Sequence, residues 1–190
     1  MWYNSNVMKI ILLALVMIAP ITFGSFIQIG NDIDGEGAGD RSGVSVALSS
    51  DGSIVAIGAP FNNVFDTASG QVRLYQWDGS SWNQLGNDID GESAGDQFGY
   101  SISLSSDGTI LAIGARYNDG NGTASGHVRL YQWNGASWNQ LGNDIDGEAE
   151  ADYSGYSVSL SSDGSIVAIG ATYNDGNGSS SGCLLYTSDA

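Results

Sequence analysis

The chain has 190 residues, 28 of them glycine, is 42% hydrophobic and carries a formal net charge of −16. That length suits one globular domain, and the composition reads as globular but turn-rich, with disorder not the default. Five Lys and Arg against 21 Asp and Glu exclude a phosphate-neutralising surface, and so nucleic acid and anionic membranes as partners. An acidic surface suits divalent cations or cationic partners, and equally plain solubility in a salty or extracellular medium.

The first element is a targeting signal. Lys9 precedes an apolar run from Ile10 to Ile21, and Thr22-Phe23-Gly24 ends it with a small-x-small cleavage pattern. Residues 1–24 are expected to be a secretory signal peptide, with Met8 as the alternative true start. The run is short for a bilayer span, which takes about 20 residues. A secreted or cell-surface location follows, with no membrane span after cleavage. Cys183 is the only cysteine, so no internal disulfide framework is available.

Beyond the leader the chain repeats. Residues 30–85 align without a gap to 86–141, with 39 of 56 positions identical, and a third copy runs over 142–182. A period of this length marks a solenoid or a propeller, and strand content decides between them. In the second copy Gly99 to Ser106 alternates as a strand facing water on one side. Asp107-Gly108 supplies a tight turn. Thr109 to Ala115 is nearly continuous apolar, as in a strand buried on both faces. A loop rich in turn-formers follows, then a second alternating strand from Gly126 to Trp133. Asn134-Gly135 turns the chain into a polar outer strand, Ser137 to Gly142.

Four antiparallel strands per copy, the second apolar on both faces, predict an all-β fold built of propeller blades. Trp77 and Trp82, repeated as Trp133 and Trp138, flank the third turn and suit packing near the blade rim. A solvent-facing aromatic platform for sugars is the other reading. The smallest closed ring has about four blades. Four copies of the repeat exceed the residues left after position 24. The expectation is therefore a β-propeller fragment of about three blades (25–182), its ring incomplete, needing C-terminal blades to close. "FIQIG" before the first copy corresponds to "WNQLG", so an outer strand is expected there without its blade-mates. At the other end "SGHVRLYQW" is replaced by "SGCLLYTSDA". Residues 183–190 read as the translation of a transposon-end sequencing adapter. The competing reading is a divergent third strand, since Leu184, Leu185 and Tyr186 match "VRLY" in character.

Gly95 to Ala115 resembles the FG-GAP repeat, the blade unit of integrin-α-type β-propellers and of many microbial surface proteins. The first element of that name is present as Phe98-Gly99 and altered to Ser42-Gly43 and Ser154-Gly155. The second is intact as Gly58-Ala59-Pro60 and becomes Gly114-Ala115-Arg116 and Gly170-Ala171-Thr172. The resemblance implies blades that often hold calcium in the hairpin between their first two strands. Here that hairpin is only Ser-Ser-Asp-Gly, with one carboxylate, too few oxygens for calcium. The repeats resemble short-loop microbial variants of the family.

A second acidic segment needs its own reading. "NDIDGE" opens each copy, and four carboxylates recur around it: Asp32, Asp34, Glu36 and Asp40; Asp88, Asp90, Glu92 and Asp96; Asp144, Asp146, Glu148 and Asp152. The spacing fails as an EF-hand, because Gly30 and Arg41 would fall at ligand positions one and twelve. Two readings stand. One is an interblade turn whose aspartates cap backbone N–H groups. The other is a weak, non-EF calcium site in each connector, calcium being the one cofactor expected.

Catalytic chemistry finds no constellation. His127 is the only histidine, lies in an alternating strand and corresponds to Gln71. It lacks the partners that a Ser-His-Asp triad or a zinc cluster requires. The chain is expected not to be an enzyme. Two sequons, Asn121-Gly-Thr and Asn177-Gly-Ser, fall in equivalent loops. The loop from Tyr117 to Ser125 differs most between the first two copies, which is where a rigid scaffold would carry a binding surface. The function expected is an extracellular, non-catalytic module for adhesion or recognition of protein or glycan partners. The alternatives are a spacer domain of a larger surface protein, or the N-terminal part of an enzyme.

Overall fold

The computed structural model describes residues 26–63 and 67–188, so the expected leader lies outside the described residues. Among the described residues twelve strands form three antiparallel sheets. The first holds β1 (Ser45–Leu48), β2 (Ile54–Ala59), β3 (Gln71–Trp77) and β4 (Trp82–Gln84), with β5 (Ile89–Asp90) also paired to β3. The second holds β6 (Ser101–Leu104), β7 (Ile110–Ala115), β8 (His127–Trp133) and β9 (Trp138–Asp146). The third holds β10 (Ser154–Leu160), β11 (Ile166–Ala171) and β12 (Cys183–Ser188). No helix occurs among the described residues. The architecture is all-β: an incomplete β-propeller in which no sheet closes on itself.

The core lies between sheets rather than within one. Ile54, Ala56, Val72, Leu74 and Ile89 of the first sheet pack against Phe98, Ile102, Leu111, Ile113, Ala115 and Tyr131 of the second. Ala112 and Val128 pack the other way, against Val167 and Ile169 of the third. Strand β7 therefore sends Leu111, Ile113 and Ala115 to one neighbour and Ala112 to the other. That is the physical reason its sequence is apolar without alternation. Burying one such side chain stabilises by about 1.5–3 kcal/mol. The outermost surfaces lack this cover: Val46 and Leu48 are exposed on β1, as are Ile166 on β11 and Leu184 on β12.

Neighbouring sheets approach closely through glycine. A Cβ on Gly58 would collide with the carbonyl oxygen of Gly99, and one on Gly114 with that of Gly155. The same two carbonyls accept hydroxyl bonds, from Ser45 at 2.7 Å and from Ser101 at 2.7 Å. The Asp-Gly turns add a second line of contact, Ser50 N–H to Ser106 O and Ser106 N–H to Ser162 O, both 2.8 Å.

Three expectations are amended. Residues 26–30 form no strand, and Phe26 and Ile27 are exposed. The outer strand of the second sheet does not stop at Gly142 but continues to Asp146, across a register shift between Val128 and Leu130. "NDID" is thus partly strand, not wholly a turn. The third sheet has three strands rather than four. Its last, β12, faces β11 in the register of β8 on β7: Ala171 opposes Cys183 as Ala115 opposes His127.

Within each Asp-Gly turn the aspartate accepts a serine hydroxyl and a backbone N–H. Ser49 Oγ and Ser53 N reach Asp51 Oδ1 at 2.7 and 2.9 Å, and Asp107 and Asp163 repeat the arrangement. These bonds draw Asp51 and Asp163 down from 3.8 to about 2, and lower Asp107 as well.

Two predictions follow from this packing and these turns. Gly114→Ala should destabilise by about 1–3 kcal/mol in urea unfolding, since the new methyl meets fixed backbone. Gly170→Ala, at the equivalent position, meets chiefly the Ser157 hydroxyl, which can rotate, and should cost less than about 1 kcal/mol. Equal losses would show that the close approach is not what constrains the interface. For the turns, a carboxyl depressed by folding contributes stability that is present above 3.8 and lost as pH falls toward about 2. Acid unfolding followed by circular dichroism should show that loss, and Asp→Asn at 51, 107 and 163 together should flatten it. An acid limb of the same slope in the triple variant would remove the assignment.

Candidate functional site

Two surfaces concentrate polar chemistry, and both arise where one repeat meets the next. The first is the acidic connector. Strand alternation puts Gln71 and Arg73 of β3, and His127 and Arg129 of β8, on one side of their strands. All four are buried. Such groups need partners, and the connectors supply them. Gln71 Nε2 donates to Asp88 Oδ2 and Asp90 Oδ1, each at 3.2 Å. Arg73 donates to the Asp34 carbonyl at 2.7 Å and stands 3.7 Å from Glu36. Arg129 grips Asp144 through Nε at 2.9 Å and Nη2 at 2.7 Å, and also pairs with Glu92. Burial works against the charge on Arg129, but its bonds to Asp144 and Glu92 outweigh that and raise its pKa further. Burial likewise pushes Asp144 up, and the Arg129 bonds carry it below the ordinary carboxylate value instead.

The twelve candidate carboxylates are therefore not four equivalent ligands per loop. Asp32 is exposed and accepts only from Gln28 among the described residues, at 2.9 Å. Asp88 also accepts from Gln84 and Asp144 from Gln140, at 2.5 and 2.7 Å. Asp40, Asp96 and Asp152 are buried and accept from Asn62, Asn118 and Asn174 at 3.2, 2.9 and 2.9 Å. Asp152 also accepts from the Ala149 N–H, and Glu148 accepts from Asn174. The second and third connectors are divided: their first two aspartates face the strand behind, and their glutamate faces the sheet ahead. Glu92, Asp96, Asp119, Asp144 and Asp146 consequently meet around a cleft of ≈ 400 Å³. His127 lies beside it, its pKa lowered by burial and then by Arg129.

The second surface is aromatic. Tyr153 makes edge-to-face contacts with Tyr117 and Tyr173, with ring centroids at 5.3 and 5.0 Å. Tyr100 and Tyr156 pair at 5.4 Å. The Arg116 guanidinium lies 3.6 Å from the Tyr100 ring centroid and 4.7 Å from that of Tyr117, and Gln97 Oε1 accepts from its Nε and Nη2. Arg116, Tyr117, Tyr153, Tyr156 and Tyr173 line a cleft of ≈ 370 Å³ together with Glu150 and Asp175. Tyr153 has φ 54°, a left-handed backbone that bulky L-residues rarely adopt. Its repeat equivalents Gln97 (57°) and Arg41 (53°) share that conformation, and Arg41 lies over Phe61 at 4.3 Å.

Sequence reasoning pointed to the loop from Tyr117 but not to this cluster. The usable signal was the 56-residue recurrence of Tyr100 as Tyr156 and of Tyr117 as Tyr173. The tryptophan pairs, by contrast, hold the frame. Trp77 faces Trp82 and Trp133 faces Trp138 across their turns, and Gly30 and Gly86 pack on the two pairs. Trp138 Nε1 donates to the Leu85 carbonyl of the preceding sheet at 3.0 Å. The Asn121 side-chain amide of the first sequon donates to the carbonyls of Gly147 and Glu148.

The Arg129 bridge makes a prediction. Arg129→Met should cost about 2 kcal/mol in chemical denaturation, because half-buried Asp144 loses its fork of bonds. The contribution of Glu92 is small, since water screens its exposed carboxylate. An unchanged midpoint would show that water replaces the guanidinium without loss.

Residues 88–131 and 144–184 match the family model of the FG-GAP repeat. Each match starts on the first acidic residue of a connector, Asp88 or Asp144, and ends on the third strand of the sheet that follows, β8 or β12. No curated protein matches the chain. The matched segments contain Phe98-Gly99 and Gly114-Ala115, whose glycines meet the neighbouring sheets, and the chain is an FG-GAP repeat protein.

Proposed function

We propose that the chain is an extracellular or cell-surface recognition module, non-catalytic, that binds a glycan ligand in the tyrosine cleft. FG-GAP repeats are typical of β-propeller modules in surface and adhesion proteins, which supports the location. No helix among the described residues is long and apolar enough to cross a membrane.

The observation that carries the reading is the arrangement of Tyr117, Tyr153, Tyr156 and Tyr173 around one cleft with Arg116, Glu150 and Asp175. Tyrosine rings offer apolar faces to the C–H surfaces of a sugar. The carboxylates and the guanidinium offer acceptors and donors to its hydroxyls. Tyr117, Tyr156 and Tyr173 are more than a third exposed, so the aromatic surface is open to a ligand. The hydroxyl bond between Tyr100 and Tyr156, together with burial, raises the Tyr100 pKa.

A glycan array probed with the full chain tests this reading. Tyr173→Ala should weaken the strongest array ligand by about tenfold to thirtyfold while leaving the melting temperature unchanged. A chain that binds no glycan, or a variant that binds as well as the parent, would favour the spacer role instead.

A further inference from the structure

The repeat provides an internal comparison at the first residue of its third strands. In the first sheet Gln71 opposes Asp90 in the strand register, and its amide nitrogen sits between two carboxylates, 3.2 Å from Asp88 and 3.2 Å from Asp90. In the second sheet His127 takes the place of Gln71 and opposes Asp146, with Asp144 in the place of Asp88. The carboxylate pair is kept, but its bridging donor is gone. His127 Nδ1 stands 3.6 Å from Asp144 Oδ2, beyond hydrogen-bond reach, and Nε2 is buried with no partner. The imidazole is 1% exposed. The nitrogen that faces the carboxylate pair, Nδ1, thus has no hydrogen-bond partner, which is rare for a buried polar side chain and calls for an explanation.

We propose that His127, Asp144 and Asp146 form a binding site for a divalent transition-metal ion of the zinc class, with His127 Nδ1 and one oxygen from each aspartate as ligands. One ligand atom from each of the three residues lies within 4.8 Å of the others. Around zinc, with bonds of about 2.0–2.2 Å, tetrahedral ligands stand about 3.3–3.6 Å apart. A movement of about 1 Å closes the set, and Asp146 is exposed and free to make it. The ion takes the position that the Gln71 amide occupies one repeat earlier. The amide offers N–H donors to Asp88 and Asp90, and the ion would offer a full positive charge to the equivalent Asp144 and Asp146.

The donor set selects the metal. One imidazole nitrogen with two carboxylate oxygens suits zinc or cobalt, whereas calcium and magnesium take oxygen ligands almost throughout. Three protein ligands leave a fourth position for water. Arg129 and Gln140 hold Asp144 from behind and fix its orientation, the usual role of groups around a metal ligand. The cleft lined by Glu92, Asp96, Asp119, Asp144 and Asp146 supplies an entry path. Its five carboxylates draw cations inward against the single positive charge of Arg129. This cleft shares no lining residue with the tyrosine cleft, so the two readings stand or fall separately.

Because His127 is the only histidine, any imidazole signal in a tag-free chain is its own. Zinc chloride titrated into the full chain, followed by calorimetry and by the ¹⁵N resonances of the labelled imidazole, should show one saturable site and a shifted Nδ1 resonance. His127→Gln recreates the Gln71 arrangement, so it should fold normally and bind zinc at least about tenfold more weakly. Asp146→Asn, at an exposed position, should give the same loss and guards against a folding defect in the first variant. Millimolar calcium should not displace the zinc. Equal zinc affinity in both variants, an unmoved imidazole resonance, displacement by calcium, or no saturable binding below about 1 mM zinc would each overturn the site.

Discussion

The close approach of backbone to backbone between neighbouring sheets is the constraint on which the rest of the structure depends. Gly58 and Gly114, which open the first two of the three Gly-Ala pairs, lie under the carbonyls of Gly99 and Gly155, the second residues of the Phe-Gly element and its variant. The two halves of the family's name are thus the two sides of one interface. Any side chain at either glycine would wedge the sheets apart. Gly70 against Phe98 and Gly126 against Ser154 repeat the approach at the start of the third strands. With the backbones this close, Leu111 and Ile113 can reach the apolar residues of the first sheet, and Ser45 and Ser101 can bond across the gap. Phe98 fills the first interface and is 1% exposed, whereas Ser154 occupies the second. The second interface has the smaller apolar cluster of the two.

Much of this was legible in the sequence because strand periodicity and turn residues are local signals. The strand apolar on both faces, the Asp-Gly turns and the paired tryptophans each follow from a few adjacent residues. The acidic connector was harder to read. Asn, Asp and Gly suggest a turn, and they are poor strand formers. The structure nevertheless pairs Ile89–Asp90 with β3 and carries β9 through to Asp146. Buried Gln71, Arg73, His127 and Arg129 need acidic partners, and pairing the connector as a strand is the geometry that supplies them. Tertiary demand for charge partners overrides local propensity here.

The grouping of the carboxylates was not legible at all. Four acids in ten residues look like one site when written in a line. In space alternation sends Asp88 and Asp90 to the strand behind, and the chain past Gly91 delivers Glu92 to Arg129 of the next sheet. The tyrosine cleft escaped for the same reason. Its rings come from several separate segments, the loops after β7 and β11, the connector before β10 and β10 itself, and only the packing of one sheet on another brings them together.

A repeat protein separates what must be kept from what can vary. At positions 41, 97 and 153 the backbone keeps a left-handed conformation with φ between 53° and 57°, while the residue changes from Arg to Gln to Tyr. The strain is borne by the repeat, through bonds such as Tyr153 N–H to the Ala124 carbonyl, so the side chain is free to differ. Where Gln97 holds Arg116 by hydrogen bonds, Tyr153 extends an aromatic surface instead. The exchange of Gln71 for His127 follows the same logic on the acidic side. There the strand register and the carboxylate pair persist, and one side chain decides whether an amide or a cation fills the space between them. Chemistry in this fold resides in the departures from the repeat, on a frame that the repeated glycines hold constant.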